Sequence, residues 1–119
     1  MVADALRMSA SRHWVWWHTP NGGERPAFVN KKGKRVSIEG GRLERMGLLP
    51  GVSDILLIGP PGARLHALEL KRRGMKPDDD QMAFLEAVRA AGGQAAWADT
   101  FDQAIEILRT WGAVRARLT

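Results

Sequence analysis

The stretch "DILLIGPPGARLHALELKRRG", residues 54 to 74, decides how this chain is read. Two aliphatic runs, "DILLI" (54–58) and "RLHALELK" (64–71), flank "GPPGA", in which Pro61-Gly62 suits the centre of a turn. The pattern predicts an antiparallel β-hairpin. With Pro60 to Ala63 as the loop, Gly59 pairs with Arg64, and counting back along both strands sets Asp54 opposite Glu69. Directly opposed residues hold their Cβ atoms ~4.5–5.5 Å apart on one face of a sheet. Lys71, two positions past Glu69, shares that face. A slip of one residue in the loop would abolish the arrangement.

Punctuation is clear on the C-terminal side. "KPDDDQMAFLEAVRAAGG" predicts a helix with Asp78 as N-cap, Gln81 at capping-box spacing, an acidic first turn and Gly92-Gly93 as the stop. Leu85 and Val88 mark its buried face. "QAAWA" (94–98) predicts a strand. "TFDQAIEILRTWG" predicts a last helix with Thr100 and Gln103 as a second capping box and an apolar stripe of Phe101, Ala104, Ile105, Leu108 and Trp111. "AVRARLT", 113–119, reads as a loose basic tail.

On the N-terminal side, residues 3 to 8 suit a short helix within 1–12, and "HWVWWH" (13–18) suits a strand. A long loop follows, with "VSIEGG" as a short extended piece and "GRLERMG" as a short helix ended by Gly47. The order is helix, strand, loop, hairpin, helix, strand, helix. A helix between two strands implies a crossover, so an α/β fold with a mixed sheet covered by helices is expected, in one domain spanning 1–119. The tryptophans, Trp14, Trp16, Trp17, Trp97 and Trp111, are core residues by default. The alternation of 14 and 16 with 17 leaves one of that trio to face outward, available for packing or for stacking on an unpaired base.

Composition narrows the function classes. The chain has no cysteine, which removes disulfides and thiolate metal sites and suits a reducing, cytoplasmic setting. No apolar run approaches the ~20 residues of a membrane span, and "MVADALRMSA" is too polar for a secretory signal. The net charge is +5, and basic residues concentrate in two places. Arg25, Lys31, Lys32, Lys34, Arg35, Arg42 and Arg45 form one group; Arg72, Arg73 and Lys76, just after Lys71, form the other. Such patches suit a polyanionic partner, of which nucleic acid is the commonest.

Two carboxylates facing each other in a poorly solvated hairpin repel, so a positive charge must compensate or one group must keep a proton. Lys71 supplies part of that charge. A divalent ion supplies more, and hard oxygen donors suit Mg²⁺ or Mn²⁺. With such an ion the pair would suit hydrolysis of a phosphodiester by activated water, Lys71 orienting the water or stabilising charge on the phosphate. Taken alone, Glu69 and Lys71 are an ordinary ion pair. The opposed Asp54, in an otherwise apolar strand with a basic surround, points to a site.

Asp54, fourteen intervening residues and "ELK" at 69 to 71 resemble the PD-(D/E)xK nuclease signature. The wider setting, "HTPNGGER", "GRLERMGLLPGVSD", "LHALELKRRG" and "DDDQMAFLEAVRAAGG", resembles VRR-NUC domains in order and spacing, from about residue 13 to residue 112. These are compact nucleases of the restriction-endonuclease-like superfamily, found alone in phages and bacteria and fused into a eukaryotic DNA-repair nuclease. The resemblance implies a restriction-endonuclease-like core, with a catalytic hairpin in a central mixed sheet and helices on both faces. It implies that Asp54, Glu69 and the backbone carbonyl of Leu70 hold the metal, that Lys71 is the catalytic lysine, and that Gln81 joins them from the following helix. Gln81 also lies on the helix face of Leu85 and Val88, and its capping-box role is an equal alternative. His18 and Asn21 match an H-x-P-N-G-G stretch that contacts DNA or braces the loop; a local turn role for Asn21 is at least as good.

Two departures stand out. Ser53 replaces the usual proline before the aspartate. Residues 1–12 also lack the glutamate that such domains carry on the first helix; Asp4 is the only acid there, so either Asp4 takes that place or the site lacks the ligand. The expected activity is metal-dependent cleavage of DNA, branched DNA such as Holliday junctions first, by a homodimer with no organic cofactor and no membrane. A monomeric flap or nicking nuclease and a DNA-binding module with a decayed site are the alternatives.

Overall fold

The hairpin forms in the expected register. In a computed structural model, which describes residues 2–20, 28–29, 35–36 and 49–115, strands β4 (Ile55–Gly59) and β5 (Arg64–Leu70) pair antiparallel, with Gly59 opposite Arg64 and Ile55 opposite Leu68. Outside them lie β1 (Val15–His18), antiparallel to β4, and β6 (Gln94–Ala98), parallel to β5. The sheet order is β1-β4-β5-β6. Two short strands, β2 (Phe28–Val29) and β3 (Arg35–Val36), pair separately, and only their backbone is described. The piece expected at "VSIEGG" is realised in part by β3; β2 falls where only loop was expected. The short helix expected at "GRLERMG" lies outside the described residues.

Three helices complete the α/β fold: α1 (Val2–Ser9), α2 (Asp79–Ala90) and α3 (Phe101–Trp111). They divide between the two faces of the sheet, because strand side chains alternate. Ile55, Leu57 and Leu68 face a core completed by Val2 and Leu6 of α1 and by Ala104, Ile105 and Leu108 of α3. Ala67 faces the other way, under Leu85 and Val88 of α2, with Leu56, Leu65, Ala95 and Trp97 around it. A fully buried leucine such as Leu68 contributes about 1.5–3 kcal/mol relative to exposure. β4 shows the unequal cover: Ile55, Leu57 and Gly59 are buried, Leu56 and Ile58 only half.

Three expectations need correction. β1 is shorter than "HWVWWH", because His13 takes a left-handed conformation (φ 71°) that no strand allows. Gln103 does not close a capping box. Thr100 accepts from the Gln103 N–H (3.2 Å), but the Gln103 side chain accepts from Asp99 rather than from Thr100. The tail is not loose over 113–115: Ala113 and Val114 are buried, Ser11 N–H donates to the Ala113 carbonyl (2.8 Å) and Arg115 N–H to that of Ser9 (2.9 Å). Apolar Ala113 and Val114 fill the α1–α3 core, which the basic composition of the tail obscured. Among the described residues no helix is long and apolar enough to cross a membrane.

Candidate active site

Asp54 ends the chain's approach to β4, and Glu69 sits near the end of the central strand β5, beside Trp97 of β6 in register. The register puts both carboxylates on the face covered by α2. Their hydrogen bonds interlock: Asp54 N–H donates to Glu69 Oε1 (3.2 Å), and Leu70 N–H donates to Asp54 Oδ2 (2.8 Å). The strand ends are further fixed from both sides. Thr19 N–H donates to the Asp54 carbonyl (2.8 Å), and Lys71 N–H to the Ala98 carbonyl (2.8 Å).

Glu69 is 1% exposed. Burial, above all, pushes its carboxyl up from 4.5 to about 8; the neighbouring Asp54 charge and a hydrogen bond between the two side chains add to this, and Lys71 opposes it. Near neutral pH the proton therefore stays on Glu69. A buried acid with its pKa pushed up, next to a second acid, is the kind of perturbed group that marks a candidate site.

Lys71 is half-buried at the margin of the pair. Its Nζ donates to Gln81 Oε1 (3.1 Å). The same oxygen accepts from Asp78 N–H (2.9 Å), while Gln81 N–H donates to Asp78 Oδ1 (2.8 Å). Gln81 thus closes the capping box of α2, and the same oxygen accepts from Lys71.

A contact invisible in the sequence sets the helix against the carboxylates. Gly51, at φ 78°, lies so close to the first turn of α2 that a Cβ there would overlap the Asp80 carbonyl. "LLPGVSD" signalled a turn, but nothing in it signalled this approach of backbone to backbone. Ser53, beside Asp54, is buried and its hydroxyl has no partner among the described residues; its carbonyl accepts from the Thr19 hydroxyl.

The remaining expected residues divide. Arg72, Arg73 and Lys76 are exposed just past Lys71. Arg72 and Arg73 lie in a tight turn closed by Met75 N–H to the Arg72 carbonyl (2.9 Å) and tied down by Gly74 N–H to Asp99 Oδ2 (3.0 Å). His18 is exposed at the end of β1. Asn21, Arg25, Lys31, Lys32, Lys34, Arg42 and Arg45 lie outside the described residues, and of Arg35 only the backbone in β3 is described. Asp4 is not brought to the carboxylates. α1 packs on the opposite face of the sheet, and Asp4, 68% exposed, pairs with Arg7 at 3.0 Å. Among the described residues no third acidic or histidine side chain joins the pair to form a metal cluster.

The donor chemistry nevertheless fits a hard divalent cation. Two carboxylates with excess negative charge and a neighbouring backbone carbonyl, that of Leu70, are the kind of partial oxygen set that Mg²⁺ accepts, completing it with water and substrate oxygens. Comparison with known proteins found no matching family model, no similar curated protein and no similar solved structure.

Proposed function

We propose that this chain is a metal-dependent DNA endonuclease of the VRR-NUC type, with a restriction-endonuclease-like core, acting in the cytoplasm on branched DNA such as junctions met in repair or recombination. One observation carries the reading: Asp54 and the buried Glu69 interlock through their hydrogen bonds beside a lysine held by Gln81. Two facing acids, one of them with its pKa pushed up chiefly by burial, are more than a structural ion pair requires. A Mg²⁺ or Mn²⁺ ion, when bound, would supply Lewis acidity at the phosphodiester and a nucleophile from water.

The protein's own part follows from the geometry. Asp54, Glu69 and the Leu70 carbonyl would hold the ion, Glu69 giving up its proton on binding. Lys71, oriented by Gln81, points an ammonium at the place where charge builds on the scissile phosphate. The turn carrying Arg72 and Arg73, with Lys76, gives phosphate contacts, so affinity should fall steeply with salt. A homodimer would set two such sites for paired cuts on opposed strands.

The position of Asp4 favours one other reading. With two acidic side chains assembled among the described residues, the site also suits a DNA-binding module that has lost cleavage. Cleavage of four-way junction, flap and linear DNA under Mg²⁺ or Mn²⁺ separates the two. The nuclease reading expects cleavage that Lys71→Ala lowers by about a hundredfold or more. Binding without cleavage under either ion would establish the module instead. Light scattering tests the dimer, which a strict monomer would refute.

A further inference from the structure

Among the described residues, the face that carries Asp54 and Glu69 is covered by α2 over β5 and β6 and as far as Leu56 of β4, and none of them packs over β1. Val15 is 59% exposed and Trp17 38% exposed, and both point to this face. Trp16, pointing the other way, packs on the core. Trp17 pairs with Leu56, and Thr19, two residues on, donates to the Asp54 carbonyl. Trp17 therefore stands one diagonal step from Asp54 on the same surface, roughly 7–8 Å away by sheet geometry.

Charge around the carboxylates directs the approach of a polyanion. Asp78, Asp79 and Asp80 are exposed at the first turn of α2 and repel phosphate there. Arg72 and Arg73 attract it from the end of the sheet. A strand of nucleic acid reaching the carboxylates would run between that basic turn and β1, and its base beside the reacting phosphate would meet the indole of Trp17. Among the described residues β1 brings two exposed apolar side chains to this face, Val15 and Trp17, against the roughly 20–30 residues a side of a stable protein interface. One indole is enough for a base, since every base presents a π-face.

We propose that Trp17 is a stacking platform for an unpaired nucleobase next to the scissile phosphate, and that it selects DNA whose strands are splayed at the cleavage site. This rests on the nuclease reading and adds to it the residue that sets the substrate class.

The test compares a duplex bearing an unpaired arm, with 2-aminopurine in the arm, and a blunt duplex of the same sequence. Binding is read by anisotropy and stacking by quenching of the 2-aminopurine. Trp17→Ala should weaken binding to the arm-bearing DNA by about tenfold and abolish the quenching, while blunt-duplex binding changes by less than about twofold. Trp17→Phe should keep most of the affinity and the quenching. Equal losses on both DNAs, or quenching that survives in Trp17→Ala, would overturn the proposal. So would a halved molecular mass of Trp17→Ala in light scattering, which would assign this face to contact between copies of the chain. If wild type cleaves DNA but Trp17→Ala shows no arm-specific loss, this inference alone fails; if wild type binds neither DNA, the nuclease reading fails with it.

Discussion

Lys71 and Gln81 meet through a single oxygen, Gln81 Oε1, which takes a hydrogen bond from the lysine ammonium and another from the N–H of Asp78. Orientation of the lysine and capping of α2 are thus functions of one atom, and substitutions can part them. Asp78→Ala removes the acceptor for Gln81 N–H and leaves the lysine contact in place. It should cost about 1 kcal/mol of stability and leave cleavage unchanged. Gln81→Ala should cost a similar amount and also lower cleavage by about tenfold to a hundredfold, since the ammonium loses its anchor. Thermal melts and nuclease assays on both variants check this; equal loss of cleavage in the two would mean that the helix cap alone matters.

Glu69 makes stability depend on pH. Its folded pKa, about 8, lies above the 4.5 of the unfolded chain, so the folded state binds the extra proton between these values. The contribution is complete below about pH 4.5 and is lost as pH rises through 8. Glu69→Gln keeps an acceptor for Asp54 N–H and never ionises. In chelator-treated protein it should be more stable than wild type above pH 8, by a few kcal/mol at most in order of magnitude. His66 acts in the opposite sense. Burial, chiefly, lowers its pKa below 6.5, so its contribution is present above 6.5 and lost as pH falls below it. His66 packs between Trp14 and Trp111, with ring centroids 4.6 and 5.1 Å away, a setting that disfavours the charged form. The Glu69→Gln variant should therefore retain its loss of stability in acid; melting temperature against pH shows both limbs.

On the proposed reading, metal binding would compete with the proton on Glu69. Stabilisation by Mg²⁺ or Mn²⁺ should be larger at pH 8.5 than at pH 6.5, with up to one proton released per ion. Titration calorimetry in two buffers of different ionisation enthalpy counts that proton. Asp54→Asn should remove both the binding and the release. A thermal shift indifferent to pH would mean that the ion binds elsewhere.

Gly51 and Gly62 offer a matched pair. Both have positive φ, 78° and 75°, but a Cβ at Gly62 meets nothing within 4 Å, whereas one at Gly51 strikes the backbone of Asp80. Gly62→Ala should cost about 1 kcal/mol, the conformational term alone. Gly51→Ala should cost about 2–3 kcal/mol more, as for other overpacked contacts, and lower cleavage beyond what lost stability explains, because α2 carries Gln81. Denaturant unfolding alongside cleavage rates separates the two effects.

The hairpin was legible because loop length, strand period and two carboxylates all agreed on one register, and Asp54 opposite Glu69 followed by counting. The capping box of Gln81 was legible from its spacing, and the structure adds that the same oxygen accepts from Lys71. Gly51 was not legible, since a glycine in a Pro-Gly turn carries no mark of what it touches across the fold. The burial of Ala113 and Val114 was hidden by the arginines around them, and the distance of Asp4 from the site by a topology that sends α1 to the far face. Which of Trp14, Trp16 and Trp17 is exposed depended on how far α2 reaches over the sheet, a long-range fact that no local pattern encodes.

The side chains of Asp54, Glu69, Lys71 and Gln81 all come from residues 54–81, one unbroken run of chain. A single exon-sized fragment therefore carries all four, together with the hairpin and the helix start that hold them in place. Recombination that keeps this run intact moves the whole cluster at once.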